Sequence, residues 1–487
     1  MPPSELRAIP GPPPLPLLGA SGNVLQFVRD PLGHIGSLFE RFGDVVALAR
    51  GGSTRLVSTT PDVPATIFLR GPELNRPLFT RHDTFHKSAL TGPLWPRRVT
   101  ERTRPLTRLL TGLFHVNGDD HRAHRRLLMP AFHRRRIESY RDDMVALTSD
   151  VLARYEPGQV RDLRPDMMEL TLRIATKTLF GTDMADDGVA VGRALQRWLA
   201  LFRPAAFFPF DVPGAPYRRW LDVSRSIDER MAALIEGRRA AARYGDDMLS
   251  ALMLAEDEDG TRLTDDELIG HAGVIFAAGH ETSANGLAWT LFLLSQHPAI
   301  AAALVEELEG KLRGDAPRVD QLAGLPLLDA VVKESLRIFP PVPMNHRLAS
   351  EDTEIGGYAV RKGAELLSSI YHTHRLRDWF AEPHRFVPAR WESADPGPYV
   401  YNPFGAGPRM CIGSSFAIME MKVVLAMLLQ RFRLELVAGA RIDRSINITM
   451  SAAHGLPMRV HEQDRAFHRS ARRVRGNVRQ MLELDAA

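Results

Sequence analysis

Cys411 is the only cysteine among 487 residues. It lies in Tyr401-Asn-Pro-Phe404-Gly405-Ala-Gly407-Pro-Arg409-Met-Cys411-Ile-Gly413. Two glycines and two prolines ahead of the cysteine predict a tight loop with exposed backbone. A helical pattern, Ser414 to Arg431, begins directly after it. A helix N-terminus and Arg409 both favour thiolate over thiol. A thiolate is a nucleophile or a metal ligand. A buried, inert cysteine is the common alternative, but it leaves the Gly/Pro/Arg frame without a purpose. A single cysteine excludes an intrachain disulfide, a Cys-rich zinc module and a multi-cysteine iron–sulfur cluster.

A second group of candidates lies in Ala278-Gly279-His280-Glu281-Thr282. Gly279 leaves open space on its face of a helix. Thr282 can bond the carbonyl four residues back and loosen the local ladder. Its hydroxyl and the Glu281 carboxylate suit proton transfer. Glu334 and Arg337 are spaced i, i+3 and His121 and Arg125 i, i+4, so each pair shares a helix face. Three other patterns fail. His280-Glu281-Thr-Ser-Ala284 lacks the second histidine of a zinc-protease motif. Gly405-Ala-Gly407-Pro-Arg-Met410 lacks the last glycine of a dinucleotide turn. His372 and His374 have no evident third ligand, which favours structural or surface roles.

These residues need a scaffold. Thr264-Asp-Asp-Glu267 is a capping box. The helix it opens can run to about Gln296, roughly 50 Å at 1.5 Å per residue, and carries Gly279 and Thr282 halfway along. Further helices are expected over Tyr140 to Tyr155, Pro165 to Phe180, Trp220 to Arg243 and Leu325 to Arg337. Asp44 to Ala49 and Thr54 to Ser58 read as a hairpin turning at Gly51-Gly52. Short strands are expected near Glu354 to Val360 and Glu365 to Ile370. The fold class is mainly α with small β-sheets. Residues 1–20 form a Pro-rich, extended leader, 21–460 a single domain, and 461–487 a basic tail, either a short packed helix or a frayed end.

Hydrophobic residues are 44 % and charged residues 25 %, ordinary for a globular protein. Lys and Arg number 62 against 58 Asp and Glu, a net charge of +4. That is too small to argue for nucleic acid. The leader lacks the charged and apolar regions of a signal peptide, and the most apolar stretch, Ala272 to Ser295, carries His280, Glu281 and Asn285. A cytoplasmic protein with no membrane anchor is expected.

Phe404, Gly407, Arg409, Cys411 and Gly413 together match F-x-x-G-x-R-x-C-x-G, and so resemble the haem-binding signature of the cytochrome P450 superfamily. Ala278 to Thr282 resembles its oxygen-activation motif. Glu334-Ser-Leu-Arg337 and Phe386-Val-Pro388-Ala-Arg390 resemble its E-x-x-R and F-x-P-x-R segments. The resemblance runs from the leader to about Val460, and the stretches His121 to Phe132 and Lys333 to Pro343 look like soluble bacterial members related to fatty-acid hydroxylases. It implies the cytochrome P450 fold, with haem b (iron protoporphyrin IX) between the long helix and the cysteine-loop helix. Cys411 is then the axial iron ligand. Phe404 moderates the sulfur, and Gly405 and Ala278 border the haem. Arg409, His121, Arg125 and Arg347 serve the propionates. Thr282, Glu281 and Gly279 are catalytic, and Glu334, Arg337 and Arg390 form a buried network.

The implied reaction inserts one atom of O2 into a C–H or C=C bond of a hydrophobic substrate, a fatty acid or terpenoid. Position suggests a pocket of Trp95, Val274, Ala277, Ala278, Val342, Met344, Ile448 and Thr449, with Phe207, Phe208 and Phe210 as an access lid. Electrons are expected from a separate ferredoxin and its reductase. Arg122, Arg126, Arg134, Arg135, Arg136 and Lys422 are the expected docking face. A peroxide-driven or partner-independent haem-thiolate enzyme and a non-catalytic haem sensor are the alternatives.

Overall fold

The structure is a computed structural model that describes residues 6–58, 62–88, 96, 98–181, 187–469 and 473–484. Helices dominate, and the sheets are small. The capping box forms as expected. Thr264 Oγ1 accepts from the Glu267 N–H, and Glu267 Oε2 accepts from Thr264 N at 2.8 Å. The helix it opens spans Asp265–Gln296, and nearly all of its second half is buried. Around it pack Leu163–Phe180, Pro326–Ile338 and the helix after the cysteine loop, Ser414–Arg431. These helices enclose the principal hydrophobic core. No single described helix is long and apolar enough to cross a membrane.

A five-stranded sheet flanks this body. Val45–Ala47 pairs antiparallel with Thr66–Leu69, which runs parallel to Glu365–Ser369. Met344–Ala349 and then Phe85–His86 complete it. The expected hairpin of Asp44–Ala49 with Thr54–Ser58 does not form. The segment 54–58 instead wraps a buried carboxylate. Glu365 accepts from the N–H groups of Leu56, Val57 and Ser58 and from Thr66 Oγ1. A buried carboxylate satisfied this way holds a chain that has no strand to pair with. The second expected strand region is a true hairpin, Thr353–Ile355 with Tyr358–Val360.

Four helices ahead of Asp120 were not anticipated: Gly19–Arg29, Pro31–Phe42, Pro72–Thr80 and Arg104–Leu110. Pro31–Phe42 carries a start signal, with Asp30 capping Gly33 N and Pro31 in the first turn. The leader lies along the sheet edge, where Pro10 O and Pro12 O accept from Ala47 N and Arg50 N at 2.8 Å. The expected boundary at 460 falls inside the strand Pro457–Glu462. Beyond it the tail packs without an α-helix among its described residues: Phe467, Val474, Val478, Met481 and Leu482 join the principal core.

Candidate functional site

The cysteine loop is fixed by backbone bonds and by two glycines. Cys411 N donates to Phe404 O at 2.9 Å, and Gly405 N to Asn402 O at 2.9 Å. Gly407 sits at φ +70°, and a Cβ there would lie 2.5 Å from Phe79 O. Only glycine permits that conformation and that approach together. His374 ties the loop to the core by accepting from Asn402 N at 3.0 Å. It is fully buried, so its structural reading holds.

Beneath the loop lies the expected network. Arg337 donates to both Glu334 oxygens at 2.9 and 2.8 Å, and Arg390 Nε donates to Oε1 at 3.0 Å. Trp391 Nε1 adds a fourth bond at 3.0 Å. Arg337 also donates to the carbonyls of His374, Pro383 and Arg385. Burial would raise the Glu334 carboxyl, but Arg337 and Arg390 outweigh it and hold it below the usual range.

One cavity gathers most of the candidates. Phe404, Gly405, Arg409 and Cys411 line it together with Ala278, Gly279 and Thr282 of the long helix. The thiol opens onto this cavity and is enclosed by protein elsewhere. Burial pushes it up, opposed by the Gly413 N–H and by Arg125 and Lys87. Arg409, the expected cause, is turned away. Its guanidinium donates to Leu113 O, Val116 O and Asn117 Oδ1.

Thr282 Oγ1 donates to Ala278 O at 2.8 Å, the i−4 bond anticipated from sequence. Nothing lies within 4 Å of where a Cβ on Gly279 would sit. Glu281 does not line the cavity. Its Oε1 accepts from Thr449 Oγ1 at 2.7 Å, and Thr449 accepts from Asn285 Nδ2 at 3.2 Å.

The expected pocket needs correction. Val274 and Val342 line the cavity, but Ala277, Met344, Ile448 and Thr449 do not. Ala277 lies on the far side of the long helix from the centre of the lining stripe at 275 and 282. Strand alternation sends Asn345 to the cavity and Met344 to the opposite face, against the small core cluster that contains Val46 and Leu367. Ile448 is 40 % exposed, and Thr449 is occupied with Glu281. Phe208 and Phe210 are exposed and meet each other edge to face rather than lining the cavity. Trp95 and the Phe207 side chain lie outside the described residues.

A cluster of bases borders the same cavity. Lys87, His121, Arg125 and Arg409 line it, with Arg347 just behind and 1 % exposed. Among the described residues no acid lines it. Burial, with Arg409 second, pushes Arg347 down to about 9. Burial and then Arg409 and Arg125 take His121 down to about 3. Lys87 lies well below the ordinary lysine value, for burial first and then Arg347 and Arg409. His121 Nδ1, Arg347 Nε and Arg409 Nε are buried without partners among the described residues. Crowded cations with orphaned donors call for an anion. A flat apolar group bearing two carboxylates, with a metal facing Cys411, fits this chemistry, and haem is such a group.

The cytochrome P450 family model matches residues 9–455. The chain belongs to the cytochrome P450 family. It is 32 % identical over 429 residues to pentalenene oxygenase of Streptomyces avermitilis, covering 86 % of this chain and 90 % of that one. It is 29 % identical to cyclooctat-9-en-7-ol 5-monooxygenase of Streptomyces melanosporofaciens, covering 88 % and 90 %. The crystal structure of the cytochrome P450DA haem domain aligns with a TM-score of 0.79 and 26 % identity, covering 94 % of this chain and 98 % of that one. The mainly α fold with small sheets is therefore the P450 fold, and the protein is a haem-dependent oxidoreductase of the monooxygenase type.

Sequence reasoning missed Lys87 in this P450. Its backbone is bonded on both sides to Asn117, 2.8 Å from its N–H and 2.9 Å from its carbonyl. No spacing signal links it to Cys411, because the fold alone brings residues 87, 125 and 411 together. The docking face also changes. Lys422 is 8 % exposed and paired with Asp329 at 2.5 Å. Arg122 pairs with Asp119 and Asp83, Arg134 with Glu138, and Arg136 with Asp246. Arg126 and Arg135 remain exposed.

Proposed function

We propose that this P450 oxygenates a terpenoid, using haem b held by Cys411 and electrons from a separate ferredoxin and its reductase in the cytoplasm. The observation that carries the reading is the single cavity. It joins the Cys411 thiol that opens onto it, a basic cluster with no acid among the described lining residues, and an apolar chamber beside Gly279. Haem bound there supplies the activation of O2 and the insertion of one of its atoms into substrate.

The chain's own groups do the rest. Lys87, His121, Arg125, Arg347 and Arg409 hold the two propionates. Val274, Ile275, Leu179 and Val342 exclude water and bind the hydrocarbon. Thr282 holds a hydroxyl at the cavity wall for proton transfer. Glu281, held by Thr449, stands one residue behind it as the next carboxylate in the path. Two similar proteins are named for oxidising pentalenene and cyclooctat-9-en-7-ol, and both names denote terpenoids, which favours that class over fatty acids. Keeping Glu281 and Thr282 favours an O2-using enzyme over a peroxide-driven one or a sensor.

Titration of the ferric Soret band with a panel of terpenoids and fatty acids tests the substrate class. Terpenoids are expected to shift the band at micromolar concentration; a response confined to fatty acids would overturn the class. Reversing charge at Arg126 and Arg135 is expected to slow reduction by an acidic ferredoxin while leaving the haem spectrum intact. Unchanged rates would remove that docking face.

A further inference from the structure

The basic tail is zipped onto the body along residues 440–444. Arg475 N donates to Ala440 O at 3.2 Å, and Ile442 N donates to Arg475 O at 2.9 Å. Gly476 follows at φ +99°, and a Cβ there would run into Ile442 O, so only glycine fits. Asn477 bonds on both sides. Its N–H donates to Asp443 Oδ1 at 2.6 Å, and its Oδ1 accepts from Arg444 N at 2.7 Å. Beyond it Val478, Met481 and Leu482 are buried.

The end of this segment meets a buried arginine. Arg375 Nη2 donates to Met481 O at 3.1 Å and to Ile338 O at 2.7 Å, and Nη1 donates to Tyr371 O at 3.2 Å. No carboxylate pairs with it among the described residues, and burial pushes it down to about 10. A buried cation without an anion depends on its carbonyls. Ile338 ends the helix Pro326–Ile338, so its carbonyl has no partner within that helix, and a cation beside it is favoured. His374, the next residue back along the chain, holds the same helix end. Burial first, then Arg337, push it down to about 3, so it is neutral. Its Nε2 accepts from Asn402 N at 3.0 Å, which leaves Nδ1–H to donate to Arg337 O at 3.3 Å. Asn402 O in turn accepts from Gly405 N at 2.9 Å. Contacts thus run from Met481 through Arg375 and His374 to the loop that carries Cys411.

We propose that Arg375 is a positioning residue for the cysteine loop, and that residues 473–484 are the latch that holds it in place through the Met481 carbonyl. This rests on the reading of Cys411 as the haem ligand. Arg375 and His374 are adjacent and grip two successive carbonyls of one helix end, so a shift of Arg375 carries His374 with it. His374 is the group that fixes Asn402, and Asn402 fixes Gly405. Releasing the tail therefore loosens the loop from which the thiolate meets the iron. The tail protects thiolate ligation although it does not line the cavity.

Two substitutions in the full-length holoenzyme test this. Gly476→Val undocks the tail, because valine fits neither the backbone conformation nor the space. Arg375→Lys keeps the charge but loses the planar fork that spans the three carbonyls. The readout is the rate at which the reduced carbon monoxide complex loses its red-shifted Soret band to a blue-shifted one. It is taken at room temperature, with circular dichroism showing each variant fully folded. Both variants are expected to lose the band about tenfold faster than wild type, the worth of one charge-assisted hydrogen bond. Arg479→Ser, at an exposed tail position, is expected to keep the wild-type rate. A tail that only adds stability would lower the thermal midpoint and leave the room-temperature rate unchanged, and that result overturns the inference. A wild-type rate in Arg375→Lys overturns it as well. Should Gly476→Val not fold, Arg375→Lys decides the matter alone. A wild type that never shows the red-shifted band overturns the reading of Cys411, and the inference with it.

Discussion

Arg347→Met isolates the claim that the basic cluster exists to hold two carboxylates. Arg347 is 1 % exposed, donates to Asn345 Oδ1 at 2.7 Å and His346 O at 2.8 Å, and lies over the Phe79 ring at 5.2 Å. No carboxylate pairs with it among the described residues, and Arg409 repels it. Burial, and then Arg409, push the guanidinium well below the usual arginine range, to about 9, so its charged form is held at a cost of roughly several kcal/mol. Breaking a buried ion pair by removing one partner costs about 3–5 kcal/mol. The lower figure is about a hundredfold in affinity. Methionine keeps most of the volume and none of the charge. The assay is haem transfer from the holoenzyme to excess apomyoglobin. Transfer is expected to accelerate by about a hundredfold or more in Arg347→Met. Arg134→Met, at an arginine whose side chain is 85 % exposed and paired with Glu138, is the matched control and is expected to change nothing measurable. Transfer within threefold of wild type for Arg347→Met would refute the assignment of this cluster to an anionic cofactor.

Glu334→Gln leaves Arg337 and Arg390 buried beside a neutral amide. The urea midpoint is expected to fall by an amount equivalent to about 3–5 kcal/mol, and an unchanged midpoint would show the network to be dispensable. His372 and His374 are each pushed down to about 3, by burial first and then by neighbouring arginines. Their folded values lie below 6.5, so the unfolded chain takes up protons that the folded chain refuses. Stability is therefore full above pH 6.5 and falls as the pH drops toward 3, each histidine contributing up to about 1.4 kcal/mol per pH unit. Thermal unfolding between pH 7.5 and 5 checks this, and His372→Asn is expected to flatten the slope; a pH-independent Tm would contradict it. Thr282→Ala is expected to leave substrate binding within about twofold while diverting reducing equivalents from product to hydrogen peroxide. Unaltered coupling of NAD(P)H use to product would show that the Thr282 hydroxyl carries no proton.

The parts of the fold set by local rules were legible in the sequence. The capping box at Thr264 fixed the start of the long helix, and the predicted helix over Ser414 to Arg431 agrees with the observed one to the residue. Glycine spacing in the cysteine loop was legible because Gly407 answers a local steric demand. What failed depended on contacts distant in sequence. Segment 54–58 is β-like by composition, yet its N–H groups go to Glu365, some 300 residues away. Met344 and Ala277 were placed in the pocket by analogy of position, although strand alternation and helix phase turn them elsewhere. Lys87 and the His124–His271 pair carry no motif, because the fold alone brings each to its neighbours on other elements. Glu267 was read as a cap and is one, but its second oxygen also meets His124 Nε2 at 3.2 Å, a contact that a local reading could not show.

The central claim is that Cys411 is the thiolate ligand of a haem iron, and its most direct test is the carbon monoxide difference spectrum of the reduced protein. Wild type is expected to give the red-shifted Soret band of thiolate ligation, and Cys411→Ser to lose that band. A wild-type band at the position typical of histidine-ligated haem, or a red-shifted band that persists in Cys411→Ser, would contradict the account.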